Sequence, residues 1–446
     1  MSSDTIKTEK ISFESLNLIE PILKAINSEG YTNPTPIQKL AIPIVLNKKD
    51  LLGIAQTGTG KTAAFAIPII QLMHLDEKSV DFKNRKIRCL IITPTRELAL
   101  QVFESFKTYG KYTNLKCAVL IGGVNQHHQV LTLKKGVDVL ISTTGRLIDL
   151  INQNFVNIDN VEYFVIDEAD TMMDMGFIHD VKMIVSDLPK DKQTLFFSAT
   201  MPNEIEKLSN LILKNPAKIE IEPESKTAEK ISQFIYYVDK INKKMLLLDI
   251  LKSTNTDRIL IFTRTKHGAN NLVEFLIKSK INAQAIHSDK SQNARQTALN
   301  NFKEKITKVL VATDIASRGI DIEELNLVVN FDIPNIPETY IHRIGRTGRA
   351  GTSGKAVSLC DNDERAYVKD IEKLIGKAIP MLTNEKYPLM NKSGNSNFRK
   401  TNNTNQSVAS SSKTAALKSN PTAKFMNPKS NKLNNNTNQK RLAKRR

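Results

Sequence analysis

Short apolar runs alternate with helix-like stretches along most of the chain, and the alternation occurs in two successive series. The runs of the first series begin at Asp50, Ile87, Cys117, Asp138, Tyr163 and Thr194. The runs of the second series begin at Ile231, Arg258, Ala283, Lys308, Asn326 and Lys355. Apolar runs separated by helices are typical of βαβ units, in which a parallel sheet is buried on both faces. The pattern predicts an α/β fold with two tandem parallel-sheet domains, residues 1–220 and 231–380.

Two segments depart from this alternation. Residues 221–230, IEPESKTAEK, are polar and charged and contain Pro223, so they are predicted to be a flexible linker. From Asn391 to Arg446 the chain is dominated by Asn, Ser, Thr and Lys. This segment has too few apolar residues to offset the entropy lost on ordering, and it is predicted to be a disordered basic tail.

Charge separates the tail from the rest of the chain. The 446 residues carry a formal net charge of +18, and residues 391–446 contain 13 Lys or Arg and no Asp or Glu. The preceding residues therefore carry a net charge of only +5. A block of positive charge favours a polyanionic partner, although a solvated tail without a partner is the alternative.

Cysteine usage and hydropathy indicate the compartment. Cys89, Cys117 and Cys360 are too few and too scattered for a disulfide framework or a metal site, which favours a reducing environment. The N-terminus lacks the apolar core of a signal peptide, and apolar runs end well before the ~18 residues of a membrane span. We therefore expect a cytoplasmic protein without a membrane partner.

The sharpest local pattern is a glycine-rich loop directly after the first apolar run and before a helix-like stretch. It consists of Ala55, Gln56, Thr57, Gly58, Thr59, Gly60, Lys61 and Thr62. Such a loop points backbone N–H groups at phosphates, Lys61 adds a positive charge, and the Thr62 hydroxyl can ligate Mg²⁺. Ala55 stands where the first Gly is usual. A strand-to-helix turn without a ligand is the alternative interpretation.

Two adjacent carboxyl groups follow the apolar run YFVI. Asp167 and Glu168 are expected at the carboxyl edge of the parallel sheet, where ligands bind in open α/β folds. Asp167 is the candidate to hold Mg²⁺ through water, and Glu168 is the candidate to orient and deprotonate the attacking water. Adjacent acids at a strand end are otherwise a common charge feature of a helix N-terminus.

The ordered series of motifs resembles the DEAD-box RNA helicases over roughly residues 11–378. Asp167 to Asp170 spell DEAD, and the residues from Gly30 to Gln38, GYTNPTPIQ, resemble the family's adenine-recognition motif, with Phe13 upstream. The other matching segments are PTRELA from Pro94, Gly122-Gly123, Thr143 to Leu147, Ser198-Ala199-Thr200, IFTRTK from Ile261, Gln292 with Arg295, VATDIASRGID from Val311 and HRIGRTGR from His342. Their wording is most similar to the bacterial RhlE-like branch.

The resemblance implies two RecA-like domains and a set of ATP contacts. Tyr31 would stack on adenine and Gln38 would pair with its edge, although TPIQ also reads as a proline-started helix cap. Gly319 and Asp321 would approach the ribose. Arg346 and Arg349, three apart on one helical face, would act as arginine fingers toward the γ-phosphate. Because these groups divide between the domains, hydrolysis would require closure of the cleft, with the linker as hinge.

The resemblance also implies an RNA interface that contacts phosphates and sugars, with little reading of bases. Its expected members are Thr95, Arg96, Gly123, Thr143, Gly145 and Arg146 on the first domain and Gly268 and Thr313 on the second. Ser198 and Thr200 would couple the acid pair to His342. The sequence departs from the family at Thr144, where Pro is usual before Gly145-Arg146, and this departure puts the rigidity of the turn in doubt. Thr171 and Ser288 also replace common family residues.

The leading interpretation is an ATP- and Mg²⁺-dependent RNA helicase that unwinds short duplexes or remodels RNA and RNA–protein complexes. Ribosomal precursor RNA or the RNA-degradation machinery are the expected partners, and no metal other than Mg²⁺ is expected. An ATP-gated RNA clamp that anchors other proteins and unwinds little would use the same residues. A DNA helicase or a P-loop kinase is disfavoured by the acid motif, the adenine motif and the paired arginines.

Overall fold

The computed structural model describes residues 12–56, 58–76, 84–221, 231–314, 325–348 and 354–387. Thr57, Gly319, Asp321 and Arg349 lie outside the described residues. So do most of the predicted linker, residues 222–230, and the whole of the predicted tail, residues 391–446.

The first half of the chain forms a parallel sheet with helices between its strands. Its strands are β1 (Leu51–Ile54), β2 (Cys89–Thr93), β3 (Cys117–Leu120), β4 (Val139–Thr143), β5 (Tyr163–Ile166), β6 (Gln193–Ser198) and β7 (Ala217–Glu220). Its helices are α1 (Glu20–Ser28), α2 (Pro36–Leu46), α3 (Lys61–Leu75), α4 (Arg96–Tyr109), α5 (Gln126–Lys134), α6 (Thr144–Asn152), α7 (Ala169–Asp174), α8 (Ile178–Asp187) and α9 (Asn203–Ile212). A 3₁₀ turn, Phe13–Leu16, precedes α1.

The second half forms another parallel sheet. Its strands are β8 (Ile231–Tyr237), β9 (Ile259–Phe262), β10 (Ala283–Ile286), β11 (Val309–Ala312), β12 (Leu327–Asn330), β13 (Gly354–Cys360) and β14 (Met381–Leu382). Its helices are α10 (Lys243–Ser253), α11 (Lys266–Lys278), α12 (Gln292–Lys303), α13 (Pro337–Ile344) and α14 (Arg365–Ile375).

The two sheets have the same topology. The strand order is β3-β4-β2-β5-β6-β1-β7 in the first sheet and β10-β11-β9-β12-β13-β8-β14 in the second. Adding seven to each strand number of the first sheet gives the order of the second. The predicted α/β fold with two parallel sheets is confirmed.

Side-chain alternation explains why the apolar runs are continuous. On β2, Cys89 and Ile91 pack into one core cluster while Leu90 and Ile92 pack into another on the opposite face. Successive side chains of a strand point to opposite faces, so a sheet covered on both sides needs apolar residues at every position. The twelve predicted runs all contain a strand for this reason.

Two strands were not predicted. β7 pairs with β1 and β14 pairs with β8, and each lies at the end of its sheet. Their side chains are largely exposed or half-buried, because an edge strand covers less of the core. Neither segment contains an apolar run that would reveal it. No helix among the described residues has the length and apolar character to cross a membrane.

Candidate active site

The glycine-rich loop joins β1 to α3 at the carboxyl edge of the first sheet. Gly58 and Gly60 have φ angles of 85° and 91°, in the left-handed region that favours glycine. A Cβ atom at Gly60 would overlap the Gln38 side chain. Lys61 is buried, and its Nζ donates to the Ala55 carbonyl oxygen at 2.7 Å. The loop thus has the conformation and the positive charge that phosphate binding requires.

The start of α2 is bonded to this loop. Gln38 Nε2 donates to the Gly60 carbonyl oxygen at 3.2 Å, and Thr35 Oγ1 donates to the Thr59 carbonyl oxygen at 2.8 Å. Gln38 Oε1 accepts from the Thr35 backbone N–H at 2.9 Å, and Pro36 begins the helix. The helix-cap interpretation of TPIQ is confirmed, and the adenine contact of Gln38 stays a prediction.

A cavity of about 610 Å³ lies over the loop, within the size range of ligand pockets. Among its lining residues are Phe13, Tyr31, Gln38, Gly58, Gly60, Lys61, Thr62, Asp167 and Glu168. Tyr31 is 50% exposed, whereas Phe13 is buried. Most described members of the predicted nucleotide site therefore line one cavity, and the half-exposed Tyr31 ring is accessible to a base there; Ala55, Gln56 and Thr59 are not among the lining residues.

The acid pair follows β5, which β6 separates from β1. Asp167 is 2% exposed, and burial raises its pKa to about 7 while the Lys61 ammonium acts in the opposite direction. Glu168 has a φ of 56°, a left-handed conformation that costs energy for a residue with a side chain, and α7 begins immediately after it. Backbone strain of this kind clusters at functional sites.

Asp167 also indicates whether Mg²⁺ suits the site. Its Oδ1 atom is buried and has no hydrogen-bond partner among the described residues. Mg²⁺ binds through one or two carboxylates, waters and substrate phosphates. An unpartnered carboxylate oxygen that shares a cavity with Thr62 and the glycine-rich loop therefore fits this ion.

A third carboxylate connects the acid motif to Ser198 and Thr200. Asp170 Oδ2 accepts from the backbone N–H groups of Ala199 and Thr200 at 3.2 and 3.0 Å, and from Thr200 Oγ1 at 3.1 Å. Ser198 Oγ donates to the Thr200 carbonyl oxygen at 2.7 Å. Asp170 received no role from the sequence, although its place in the acid motif was the available signal.

The predicted RNA contacts of the first domain lie at helix starts and in a glycine loop. Thr95 precedes α4 and accepts from the Leu98 N–H, and Thr143 precedes α6. The Arg96 guanidinium lies so close to Gly123 that a Cβ atom there would overlap it. A Cβ atom at Gly145 would meet no atom within 4 Å, so this backbone is open to a ligand.

The predicted contacts of the second domain also lie at a carboxyl edge. The Gly268 N–H donates to Thr265 Oγ1 at 3.0 Å in the first turn of α11. Thr313 follows β11, and its N–H donates to the Ile286 carbonyl oxygen. These two contacts are therefore on the edge of the second sheet that corresponds to the nucleotide edge of the first.

One prediction is wrong for the second domain. His342 lies in the last turn of α13, but this helix ends at Ile344 and is capped by Gly345. Arg346 lies in the turn that follows, so it is not on a face of this helix, and Arg349 lies outside the described residues. Gly348 has a φ of 71°, which shows why the helix cannot continue across this motif.

A buried contact joins the two halves of the molecule. Glu97, in α4, accepts from Gln292 Nε2 at 3.0 Å and from Arg295 Nη2 at 2.8 Å, both in α12. All three side chains are at least nine-tenths buried. The sequence placed these residues in motifs without giving them a role, because the pairing spans about two hundred residues and leaves no local pattern.

Comparison with known proteins gives two family matches. Residues 35–208 match the family described as DEAD/DEAH box helicase, and residues 242–351 match the helicase conserved C-terminal domain. The chain is 41% identical over 364 residues to the ATP-dependent RNA helicase DbpA of Bacillus subtilis, covering 82% of this chain and 74% of that protein. It is 40% identical over 384 residues to the DEAD-box ATP-dependent RNA helicase RhpA of Helicobacter pylori, covering 86% and 76%.

Solved structures are similar in the same region. S. cerevisiae Dbp5 bound to RNA and ADP BeF3 has a TM-score of 0.73 at 29% identity, covering 83% of this chain and 95% of that one. Mss116p bound to ssRNA and AMP-PNP has a TM-score of 0.74 at 28% identity, covering 85% and 81%. Both similarities extend across the two sheets.

Proposed function

The chain belongs to the DEAD-box ATP-dependent RNA helicase family, and we propose that it hydrolyses ATP to unwind short RNA duplexes or remodel RNA and RNA–protein complexes. The observation that carries this proposal is the single cavity around the glycine-rich loop, Tyr31, Asp167 and Glu168. ATP fits it with the base toward Tyr31 and Gln38 and the phosphates along residues 55–62, where backbone N–H groups and Lys61 neutralise negative charge.

Hydrolysis requires a positioned water and a base. Thr62 and Asp167 would hold Mg²⁺, which would supply positive charge that offsets the negative charge of the phosphates when it is bound. Glu168 would orient the attacking water and take its proton. Lys61 Nζ would exchange its bond to the Ala55 carbonyl oxygen for a contact with a phosphate oxygen when ATP is bound.

The second domain would complete the site when the two halves are closed. Arg346 and Arg349 are proposed to stabilise charge on the transferred phosphoryl group, and Gly319 and Asp321 to contact the ribose. The Glu97 contact with Gln292 and Arg295 supports this step, since it holds α12 against the helix that begins at the predicted RNA contacts. Asp170, Ser198 and Thr200 would transmit the closed state between the acid motif and His342.

RNA would lie across both halves, on Thr95, Arg96, Gly123, Thr143, Gly145 and Arg146 of the first and Gly268 and Thr313 of the second. Backbone N–H groups, hydroxyls and guanidinium groups of this kind contact phosphates and sugars, so the core would bind RNA with little base preference. We propose ribosome assembly or RNA turnover as the setting, in the cytoplasm, where unpaired cysteines such as these three are the rule. Membership of the RhlE-like branch stays a prediction.

Strand displacement tests the proposal against the clamp alternative. A labelled RNA duplex of about ten base pairs with a single-stranded extension is incubated with the protein, ATP and Mg²⁺. We expect strand release that requires ATP and fails with the same strands as DNA, because 2′-OH contacts distinguish the two. Slow hydrolysis with stable RNA binding and an intact duplex would favour the clamp, and equal unwinding of DNA would contradict RNA specificity.

A further inference from the structure

A closed ring of side-chain contacts lies beside the predicted RNA-binding turn of the first domain. Arg146 Nη1 donates to Gln126 Oε1 at 3.2 Å, and Gln126 Nε2 donates to Gln153 Oε1 at 2.7 Å. Gln153 Nε2 donates to Asp149 Oδ1 at 2.7 Å. Asp149 Oδ2 returns to Arg146 Nη1 as an ion pair at 3.5 Å. The ring joins the first turn of α5 to α6.

The side-chain types in the ring determine which group donates and which accepts in each hydrogen bond. A guanidinium only donates hydrogen bonds, and a carboxylate only accepts them. Arg146 donates to Gln126, so the Gln126 oxygen must face Arg146. Asp149 accepts from Gln153, so the Gln153 nitrogen must face Asp149. Each glutamine amide therefore has one orientation in which all of its ring contacts are satisfied. A second bond, from Arg146 Nη2 to the Val124 carbonyl oxygen at 3.4 Å, holds the guanidinium against the loop that follows Gly123.

The ring contributes little to folding stability by itself. Asp149 and Gln153 are exposed and Gln126 is only half-buried, so each contact competes with water. The ring has a larger effect on RNA binding, because it orients the Arg146 side chain. A free arginine side chain samples many rotamers and loses that freedom when it binds. A guanidinium has five N–H donors, and the ring and the Val124 bond leave donors available for a phosphate.

The ring lies beside the turn at Thr144, where this chain has no proline to restrict the backbone. Thr144 is the first residue of α6, directly before Gly145 and Arg146, at the position where the resemblance described above implies a proline. A proline at this position would fix φ at the helix start. In this chain the turn is instead held from outside, by α5 through Gln126 and by the end of α6 through Gln153.

We propose that Gln126 and Gln153 are positioning residues that orient Arg146 toward RNA and replace the rigidity that the missing proline would give. This inference rests on the proposed function, because it takes Arg146 as an RNA contact. None of the four ring residues lines the nucleotide cavity. Their effect therefore falls on the RNA concentration that the enzyme requires, and the chemical step does not depend on them directly.

The experiment measures ATP hydrolysis by the full chain as a function of RNA concentration. The variants are Arg146→Ala, Gln126→Ala, Gln153→Ala, Thr144→Pro and the double variant Gln126→Ala/Thr144→Pro. Asn157→Ala is the matched control, because it removes exposed hydrogen bonds to Asp159 in the same domain but outside the ring. Thermal melting of each variant reports whether it is folded.

We expect the half-saturating RNA concentration to rise about tenfold in Arg146→Ala and about threefold in each glutamine variant, with the rate at saturating RNA retained in the two glutamine variants. Thr144→Pro should restore the wild-type value in the Gln126→Ala background, because Thr143 has φ −80° and ψ 143°, a conformation compatible with a following proline. Asn157→Ala should match the wild type.

Each of the other possible results would overturn either the inference or the proposed function. Glutamine variants that match the wild type while Arg146→Ala is impaired would overturn the inference and leave the proposed function in place. An unaffected Arg146→Ala would remove Arg146 from the RNA interface and the inference with it. A double variant that stays impaired would show that the ring does not replace the proline. A wild-type protein without RNA stimulation would overturn the proposed function itself.

Discussion

At the residue scale, the three carboxyl groups of the acid motif lie in different environments. Asp167 is buried with an unpartnered oxygen, Glu168 has a left-handed backbone, and Asp170 is fully engaged with Ala199 and Thr200. Asp167 and Glu168 line the nucleotide cavity, whereas Asp170 is not among its lining residues. The sequence identified this pair because they follow a buried strand, but it could not identify the role of Asp170, whose partners lie about thirty residues away.

Glu168→Gln should bind ATP like the wild type and hydrolyse it at least about a hundredfold more slowly, because the amide cannot accept the proton of the attacking water. Nucleotide affinity is measured by fluorescence titration and turnover by phosphate release. Asp174→Asn, at the end of the short helix that follows Glu168 and outside the cavity, is the matched control and should keep the wild-type rate. Wild-type turnover in Glu168→Gln would remove the residue from the base role.

At the scale of elements, a strand or helix could be predicted only where its own residues form a recognisable pattern in the sequence. Buried strands such as β2 and β9 are continuous apolar runs, so the sequence located them and the loop that follows each. The edge strand β7 and the two-residue strand β14 have no such run. The end of α13 was also missed, since Gly345 and Gly348 terminate it within a motif that reads as a basic helix.

The phosphate loop offers a prediction at this scale. Gly60→Ala should weaken ATP binding about tenfold or more, because the left-handed conformation costs ~1–2 kcal/mol with a side chain and the added methyl group displaces Gln38. Isothermal titration measures the affinity. Gly176→Ala is the matched control: its φ is 79°, but a Cβ atom there would meet no atom within 4 Å.

Gly176→Ala should lose stability from backbone strain alone and bind ATP normally. If the two variants bind ATP equally well, the close contact between Gly60 and Gln38 has no part in shaping the nucleotide site.

At the scale of the whole molecule, the two halves have one topology but different chemistry. The first contributes the nucleotide loop and the acids, and the second contributes α12 and the arginine motif. The motif pattern indicated this division. The contact of Glu97 with Gln292 and Arg295 could not be predicted, because a pairing between distant, individually ordinary polar residues depends on how the two sheets are placed.

Removing this contact should impair RNA-stimulated hydrolysis. Glu97→Ala and Arg295→Ala are each expected to lower the stimulated rate about tenfold, since each leaves a buried partner unsatisfied. The double variant should be no worse than either single variant, which a double-mutant cycle on the stimulated rate would show. Additive losses would mean that the two residues act independently and that the contact does not couple the halves.

The net charge predicts a second property of the whole chain. Removing residues 391–446 takes away 13 positive charges and no negative ones. RNA affinity at low salt should fall, and its dependence on salt should become shallower, because counterion release scales with the number of phosphates neutralised. Fluorescence anisotropy over a salt series measures both quantities. Unchanged affinity at low salt would show that this segment does not bind RNA.

RNA bound across both halves is proposed to control hydrolysis in the cavity over the glycine-rich loop, which residues of α12 also line. Steady-state phosphate release by the full chain is measured with ATP and Mg²⁺ at increasing concentrations of single-stranded RNA. We expect a low rate without RNA, a saturable rise of about tenfold or more with RNA, and no comparable rise with DNA of the same sequence. A rate that is independent of RNA, or stimulated equally by DNA, would contradict this proposal.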